Sequence, residues 1–344
     1  MYNGGAKTTP SLFKNMKHLL PIAFLLSSFL FTSCQIRFVS DSASSQSGDE
    51  ATLSDVEPTS EESVEETTFS SQEESTSEET SQDSGYVPDN YSLLWSDEFD
   101  GDTLSHENWE CMIGNGNEYG IWGWGNNEQQ YYKSENAVVK DGALHIETYL
   151  EDQDYLETTY HYTSARIRSK GKFAFTYGYI EARIQMCDIS GIWPAFWMLP
   201  EERYKDMGWP TSGELDIMEA RGRQSDRIGG TVHSASASGS DAYHGGTYLF
   251  PEGEDITSYH TYAMKWTSEA IYFYVDGVRY YNLACSFWQN NNPNYEGSAP
   301  FDRDFHILLN QAVGGNYDNN VMPPKDFSEC EMLVDYVRVY QENL

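Results

Sequence analysis

Basic residues are scarce: 21 Lys and Arg stand against 54 Asp and Glu in 344 residues, a formal net charge of −33. Such a chain repels phosphate backbones, whose binding draws on counterion release to Lys and Arg, so nucleic acid is not an expected partner. Cysteine is sparse too, five residues with no C-x-x-C pair, which disfavours a zinc knuckle. Neither H-E-x-x-H nor G-x-S-x-G occurs, so zinc and nucleophile-elbow hydrolase readings find no support. No stretch keeps a helical period, and the longest mostly apolar run, Leu19 to Phe31, is well under the roughly 18 residues of a membrane span.

The charge is unevenly spread. Residues 1–34 carry +3, residues 35–90 carry −14 and residues 91–344 carry −22, and the last part holds all nine Trp. Lys14 and Lys17 before the apolar run, then Thr32-Ser33-Cys34, read as an export signal. Small residues followed directly by a cysteine look like a bacterial lipobox, in which Cys34 would be acylated and become the first mature residue; the alternative is plain secretion. Met1 and Met16 are both candidate starts, the second giving a more compact signal. Residues 35–90 are Ser, Glu and Thr with few apolar side chains, a composition that cannot offset ordering entropy and is expected to form a disordered acidic tether. Contact with a membrane is therefore expected only through an N-terminal lipid, on an exported cell-surface or secreted protein, expected to be a monomer.

In residues 91–344, β-branched and aromatic runs recur between Gly, Asn and Asp clusters, among them Ala143 to Tyr149, Tyr179 to Met186, Tyr262 to Trp266, His306 to Leu309 and Leu333 to Tyr340. The Asp276-Gly277 pair between Ile271 to Val275 and Val278 to Tyr281 predicts a hairpin. Many short strands in one stretch of this length predict an all-β fold, a two-sheet β-sandwich of the jelly-roll kind with a concave substrate cleft. Cys111, Cys187, Cys285 and Cys330 fall in this domain, and their pairing stays open between bridges and buried thiols.

One segment carries the chemistry, Gly213-Glu214-Leu215-Asp216-Ile217-Met218-Glu219. On a strand, Glu214 and Asp216 share one face while Leu215 and Ile217 share the other. Glu219, an odd number of residues from Glu214, would then point into the core, which is prohibitively costly for a carboxylate. A β-bulge near Ile217-Met218 supplies the extra residue that returns it to the acidic face. The two Glu Cα atoms would then lie roughly 13 Å apart at about 3.3 Å per step. Side chains leaning together would bring the carboxyls to about 5 Å, the spacing of a retaining rather than an inverting glycosidase. Three crowded carboxyls cannot all ionise freely, so one is expected to be raised and to serve as the acid. A solvated acidic face and a Ca²⁺ site remain alternatives for the same residues.

Aromatic residues nearby favour catalysis on sugars. Trp193-Pro194-Ala195-Phe196-Trp197 and Trp209-Pro210 precede the acidic segment, and indole faces stack on pyranose rings while the N–H bonds a hydroxyl. Trp193 and Trp197 can equally be core residues.

The segment Glu-Leu-Asp-Ile-Met-Glu resembles the E-x-D-x-x-E strand of glycoside hydrolase family 16, in its bulged, laminarinase-like branch. Further segments resemble the family in family order, including Trp95 to Gly101, Trp124 to Glu128, Thr163 to Ile167, Tyr177 to Arg183, Gly191 to Trp197, Gly230 to His233, Ala312 to Gly315 and Val334 to Tyr340. Coverage is essentially residues 91–344, leaving the tether outside. The resemblance implies that Glu214 is the nucleophile, Glu219 the acid and then base, and Asp216 the group that holds and tunes Glu214. It also places Asn127, Arg166, Trp193, Trp197, Trp209 and His233 along the sugar cleft; at Gln311 the family often has an apolar residue, so this amide is either a further substrate contact or a local difference. No cofactor is required, and a structural calcium is implied on the Asp335 carboxylate with the backbone carbonyls of Glu98 and Gly142. The expected activity is an endo-β-1,3-glucanase on laminarin-like β-glucan. Mixed-linkage β-glucan and β-galactans such as agarose or carrageenan are the alternative substrates, and a non-catalytic β-glucan-binding protein is the alternative class.

Overall fold

The computed structural model describes residues 86–343. Cys34, the export segment and nearly all of the acidic tether lie outside the described residues. Two sheets pack face to face. The larger has ten strands, running Val278–Ala284, Ala270–Val275, His260–Trp266, Gly178–Gln185, Glu329–Glu342, Ala143–Tyr155, Thr158–Ser164, Tyr131–Tyr132, with Tyr91–Asp97 beside Glu329–Glu342 and Ala137–Lys140 beside Ala143–Tyr155. The smaller has seven, in the order His244–Leu249, Arg227–His233, Glu214–Glu219, Ile192–Pro200, Phe305–Val313, Arg166–Arg168, Glu110–Cys111. Almost every pairing is antiparallel, and neighbours in space are often distant in sequence, as a jelly roll requires.

Period-two alternation builds the core between the sheets. Leu144 and Ile146 from the large sheet and Phe196, Met198, Leu215, Ile307 and Leu309 from the small one all join a single apolar cluster. Each such side chain contributes roughly 1.5–3 kcal/mol by leaving water. The sheets approach closely at Gly230, where an added Cβ would meet the Tyr280 hydroxyl at 2.4 Å and the Phe273 ring at 2.8 Å. The predicted hairpin forms: Val275 pairs with Val278 across Asp276 and Gly277, both at positive φ (47° and 73°).

The Glu214–Glu219 strand lies at the middle of the small sheet, between Ile192–Pro200 and Arg227–His233. Its register breaks where the carboxylate argument requires. Against one neighbour Asp216 pairs with Trp197 and Met218 with Phe196; against the other, Asp216 pairs with Thr231 and Glu219 with Gly229. One surplus residue sits between Asp216 and Met218, so Leu215, Ile217 and Met218 are all buried in the core cluster while Glu214, Asp216 and Glu219 line the opposite face.

Among the described residues no helix is long and apolar enough to cross a membrane. The four domain cysteines are thiols, and Cys187 and Cys330 pack against the same small cluster of Ile192, Val313 and Phe327.

Candidate active site

The outer face of the small sheet floors a cleft of about 590 Å³. Glu214, Asp216 and Glu219 reach it from one strand, Trp193, Ala195, Trp197 and Leu199 from the next, His306, Leu308 and Asn310 from the third, and Arg166 and Arg168 from the fourth. The parity of each strand delivers these side chains.

Each acid has its own support. The Trp193 indole donates to Glu219 Oε1 at 3.0 Å, and the Trp193 ring stacks on Tyr317 at 4.9 Å, with the Arg221 guanidinium 3.9 Å from the centre of the tyrosine ring. Trp193 is therefore a buried clamp on Glu219 more than an open sugar platform. His233 lies across from Glu214 in the sheet, with Nε2 at 3.2 Å from Asp216 Oδ2 and 3.9 Å from Glu214 Oε1, and Nδ1 at 3.0 Å from Asp241 Oδ2. Trp209 stands at the rim, 56% exposed, its ring 5.9 Å from that of His233.

Arg166 is buried between two indoles, its guanidinium 4.7 Å from the ring centres of both Trp124 and Trp197. Trp197 donates to Asn310 Oδ1 at 2.7 Å, Asn310 donates to the Tyr132 hydroxyl at 3.2 Å, and that hydroxyl donates to Glu128 Oε2 at 3.0 Å. This network fixes the plane of Trp197 and keeps a buried acid near Arg166.

The electrostatics follow from crowding. Burial first, then the charge of Asp216, pushes Glu219 up to about 8, against the pull of His233 and the Trp193 N–H. The same two causes raise Glu214 well above its ordinary 4.5, with His233 and Arg166 opposing. Burial disfavours a charged His233, but contact with Asp216 and the charges of Glu214 and Asp241 outweigh it and push its pKa up to about 10. Near neutrality the site thus holds an imidazolium between Asp216 and Asp241, and acids that share protons as a group. Glu214, Asp216 and His233 bring ligand atoms within 4.8 Å of one another, and the His233 ring already faces Asp216 through Nε2 and Asp241 through Nδ1.

Two sequence expectations need correction. Gln311 is fully buried beneath the floor, donating to Thr148 Oγ1 at 2.8 Å and Cys330 Sγ at 3.4 Å. Asn310 takes the cleft face of that strand, so its neighbour must face the other sheet. Asn127, at φ 57° in a tight turn, donates to Asn320 Oδ1 at 2.8 Å and lines a neighbouring groove, while Asn126 lines the cleft. For the implied calcium, carbonyl oxygens suit the ion, but the single carboxylate of the set, Asp335, is already paired with Arg183 at 2.7 Å. That is a poor fit, and no step below passes through a metal. Asp241, Arg221, Tyr317 and Asn310 were not legible as site residues, because each acts through a partner that only the fold brings near.

A family model described as "Beta-porphyranase A-D, GH16 domain" matches residues 93–342. The chain belongs to glycoside hydrolase family 16. It is 38% identical over 263 residues to glucan endo-1,3-beta-glucosidase A1 of Niallia circulans, covering 73% of this chain and 38% of that one. It is 37% identical over 257 residues to the beta-glucanase of Rhodothermus marinus, covering 73% and 85%. The laminarinase catalytic domain from Thermotoga maritima superposes with a TM-score of 0.67 at 38% identity, covering 74% of this chain and 99% of that one. As a family 16 member the protein is a glycoside hydrolase.

Proposed function

We propose that this glycoside hydrolase is a retaining endo-β-1,3-glucanase acting on laminarin-like glucans, with Glu214 as nucleophile, Glu219 as acid and base, and Asp216 holding Glu214. The observation that carries the reading is the register shift that sets both glutamates on one cleft face beside aromatic side chains. The likeness to β-1,3-glucanases and laminarinases supports the substrate class.

In the first step a Glu214 oxygen bonds to the anomeric carbon as the glycosidic C–O bond breaks, and Glu219 gives its proton to the leaving oxygen. A pKa near 8 keeps that proton on Glu219 at neutral pH. Burial and the charge of Asp216 raise Glu214, and the imidazolium of His233, 3.9 Å from Glu214 Oε1, and the charge of Arg166 oppose them, so that with the shared proton on Glu219 the nucleophile is the ionised member of the pair. In the second step Glu219, now a carboxylate, takes a proton from water whose oxygen attacks the anomeric carbon and releases Glu214. Two inversions leave the β configuration. Asp216 and Asp241 hold His233 protonated, and the Trp193–Tyr317 stack keeps Glu219 aimed at the bond.

A polysaccharide cannot cross a membrane, so this activity fits the export read from residues 1–34, and we propose that the enzyme works outside the cell.

A second reading, a β-galactanase, draws support from the name of the matching family model. Reducing-sugar release from laminarin, lichenan, agarose, carrageenan and porphyran separates the two. Laminarin is expected to be cleaved fastest, and cleavage of a galactan alone would overturn the glucan assignment. Loss of turnover with retained laminarin binding in Glu214→Gln, and β anomer first in an NMR time course, are the expected mechanistic results. Unchanged turnover, or α anomer first, would refute the roles assigned.

A further inference from the structure

Beside the cleft lies a second groove of about 270 Å³, and Glu128 borders both. Its wall carries Trp122, 61% exposed, with no ring or hydrogen-bond partner among the described residues. A tryptophan so placed costs apolar hydration, and here the backbone enforces the placement. Ile121 N–H donates to Gly116 O and Gly123 N–H to Asn115 O, both at 2.9 Å, and the N–H groups of Asn126 and Glu128 both close on Gly123 O at 3.0 Å. Gly116, at φ 93°, lets this turn close, since a Cβ there would meet Ile121 O at 2.1 Å. The Asn115 side-chain amide donates to the Tyr160 hydroxyl, tying the turn to the opposite wall, Thr158 to Tyr162.

The same turn sends Trp124 inward over Arg166 and Trp122 outward. Around Trp122 the groove presents mostly uncharged donors and acceptors, Asn127, Gln129, Thr158, Thr159 and Tyr160, together with His161 and the buried Glu128, and no Lys or Arg among its described lining residues. One rigid indole face with neutral hydrogen-bonding groups is the surface a neutral sugar ring needs.

We propose that this groove binds the β-glucan chain where it runs out of the catalytic cleft, with Trp122 stacking on a sugar unit remote from the scissile bond. The proposal rests on the glucanase reading and adds a reason for preferring long chains. Binding at a remote unit changes capture more than chemistry, so it appears in KM for substrates long enough to reach it.

The test uses the full chain as wild type, Trp122→Ala and Trp122→Phe. kcat and KM are measured on short β-1,3-gluco-oligosaccharides that fill only the cleft, and on laminarin. For Trp122→Ala, kcat/KM on laminarin is expected to fall roughly ten-fold or more through KM, the loss of one anchoring aromatic contact, with the short substrates unaffected. Trp122→Phe, which keeps a stacking ring, should recover part of the loss. Equal losses on short and long substrates would make Trp122 a scaffold residue and overturn the proposal, as would an unchanged KM on laminarin. A wild-type enzyme inactive on every β-1,3-glucan would instead overturn the functional reading, and this occupant with it, before any variant is compared.

Discussion

The clamp on Glu219 makes a quantitative prediction. Trp193→Phe keeps an aromatic ring against Tyr317 but deletes the indole N–H that donates to Glu219 Oε1 at 3.0 Å. That bond favours the ionised carboxyl, so removing it must raise the Glu219 pKa above its present value near 8. A hydrogen bond to a charged acceptor contributes roughly 1.5–3 kcal/mol, and about 1.4 kcal/mol corresponds to one pKa unit. Water reaching the freed oxygen would return part of this, leaving an alkaline shift of roughly one unit. The basic limb of kcat/KM against pH reports the acid in the free enzyme, so that limb should move up while the acidic limb stays. The base step should also slow, because Glu219 loses the group that aims it. A basic limb that stays in place, or moves to lower pH, would refute the assignment of Glu219 as the group titrating there.

What the residues alone disclosed was whatever a single strand can express. The bulge was legible because a carboxylate five residues from its partner could not be left in the core, and the hairpin was legible because Asp276-Gly277 is a turn chemistry with few alternatives. Gln311 was misplaced, although the alternation through His306, Leu308 and Asn310 would have assigned it to the far face had the cleft side of that strand been known. Asn127 was misplaced by a turn with positive φ at Gly123, Trp124, Gly125 and Asn127, in which neighbouring side chains part company within one residue. Trp193 carried the right importance for a partly different reason: its N–H is spent on Glu219, a fact of register between two strands. Asp241, Tyr317 and Arg221 come from segments with no periodicity to read, and their roles exist only through His233, Trp193 and one another.

Cys187 and Cys330 pack at one cluster, close enough that each shifts the ionisation of the other, so oxidised glutathione should convert them to one disulfide, found as a linked peptide and stabilising by roughly 4–5 kcal/mol for so long a loop. Absence of that peptide would show that the pair cannot close. Asp241→Asn should lower the His233 pKa from about 10. Because that pKa is raised on folding, the stability it supplies is complete below about 6.5 and lost as pH rises through about 10; thermal unfolding across that window should flatten in the variant, and an unchanged profile would exclude Asp241 as a partner. The bulge is tested by changing its length. Deleting Ile217 leaves Met218 facing the core and Glu219 facing the cleft, now on an unbroken ladder between Asp216–Thr231 and Glu219–Gly229. It should cost roughly 2–5 kcal/mol of stability yet leave measurable hydrolysis. Inserting one alanine after Ile217 must either widen the bulge or turn Glu219 toward Leu215 and Ile217, so hydrolysis should vanish and much of the protein should fail to fold. Equal loss of activity in both variants, with the deletion variant folded, would mean that parity is not what brings the two glutamates together.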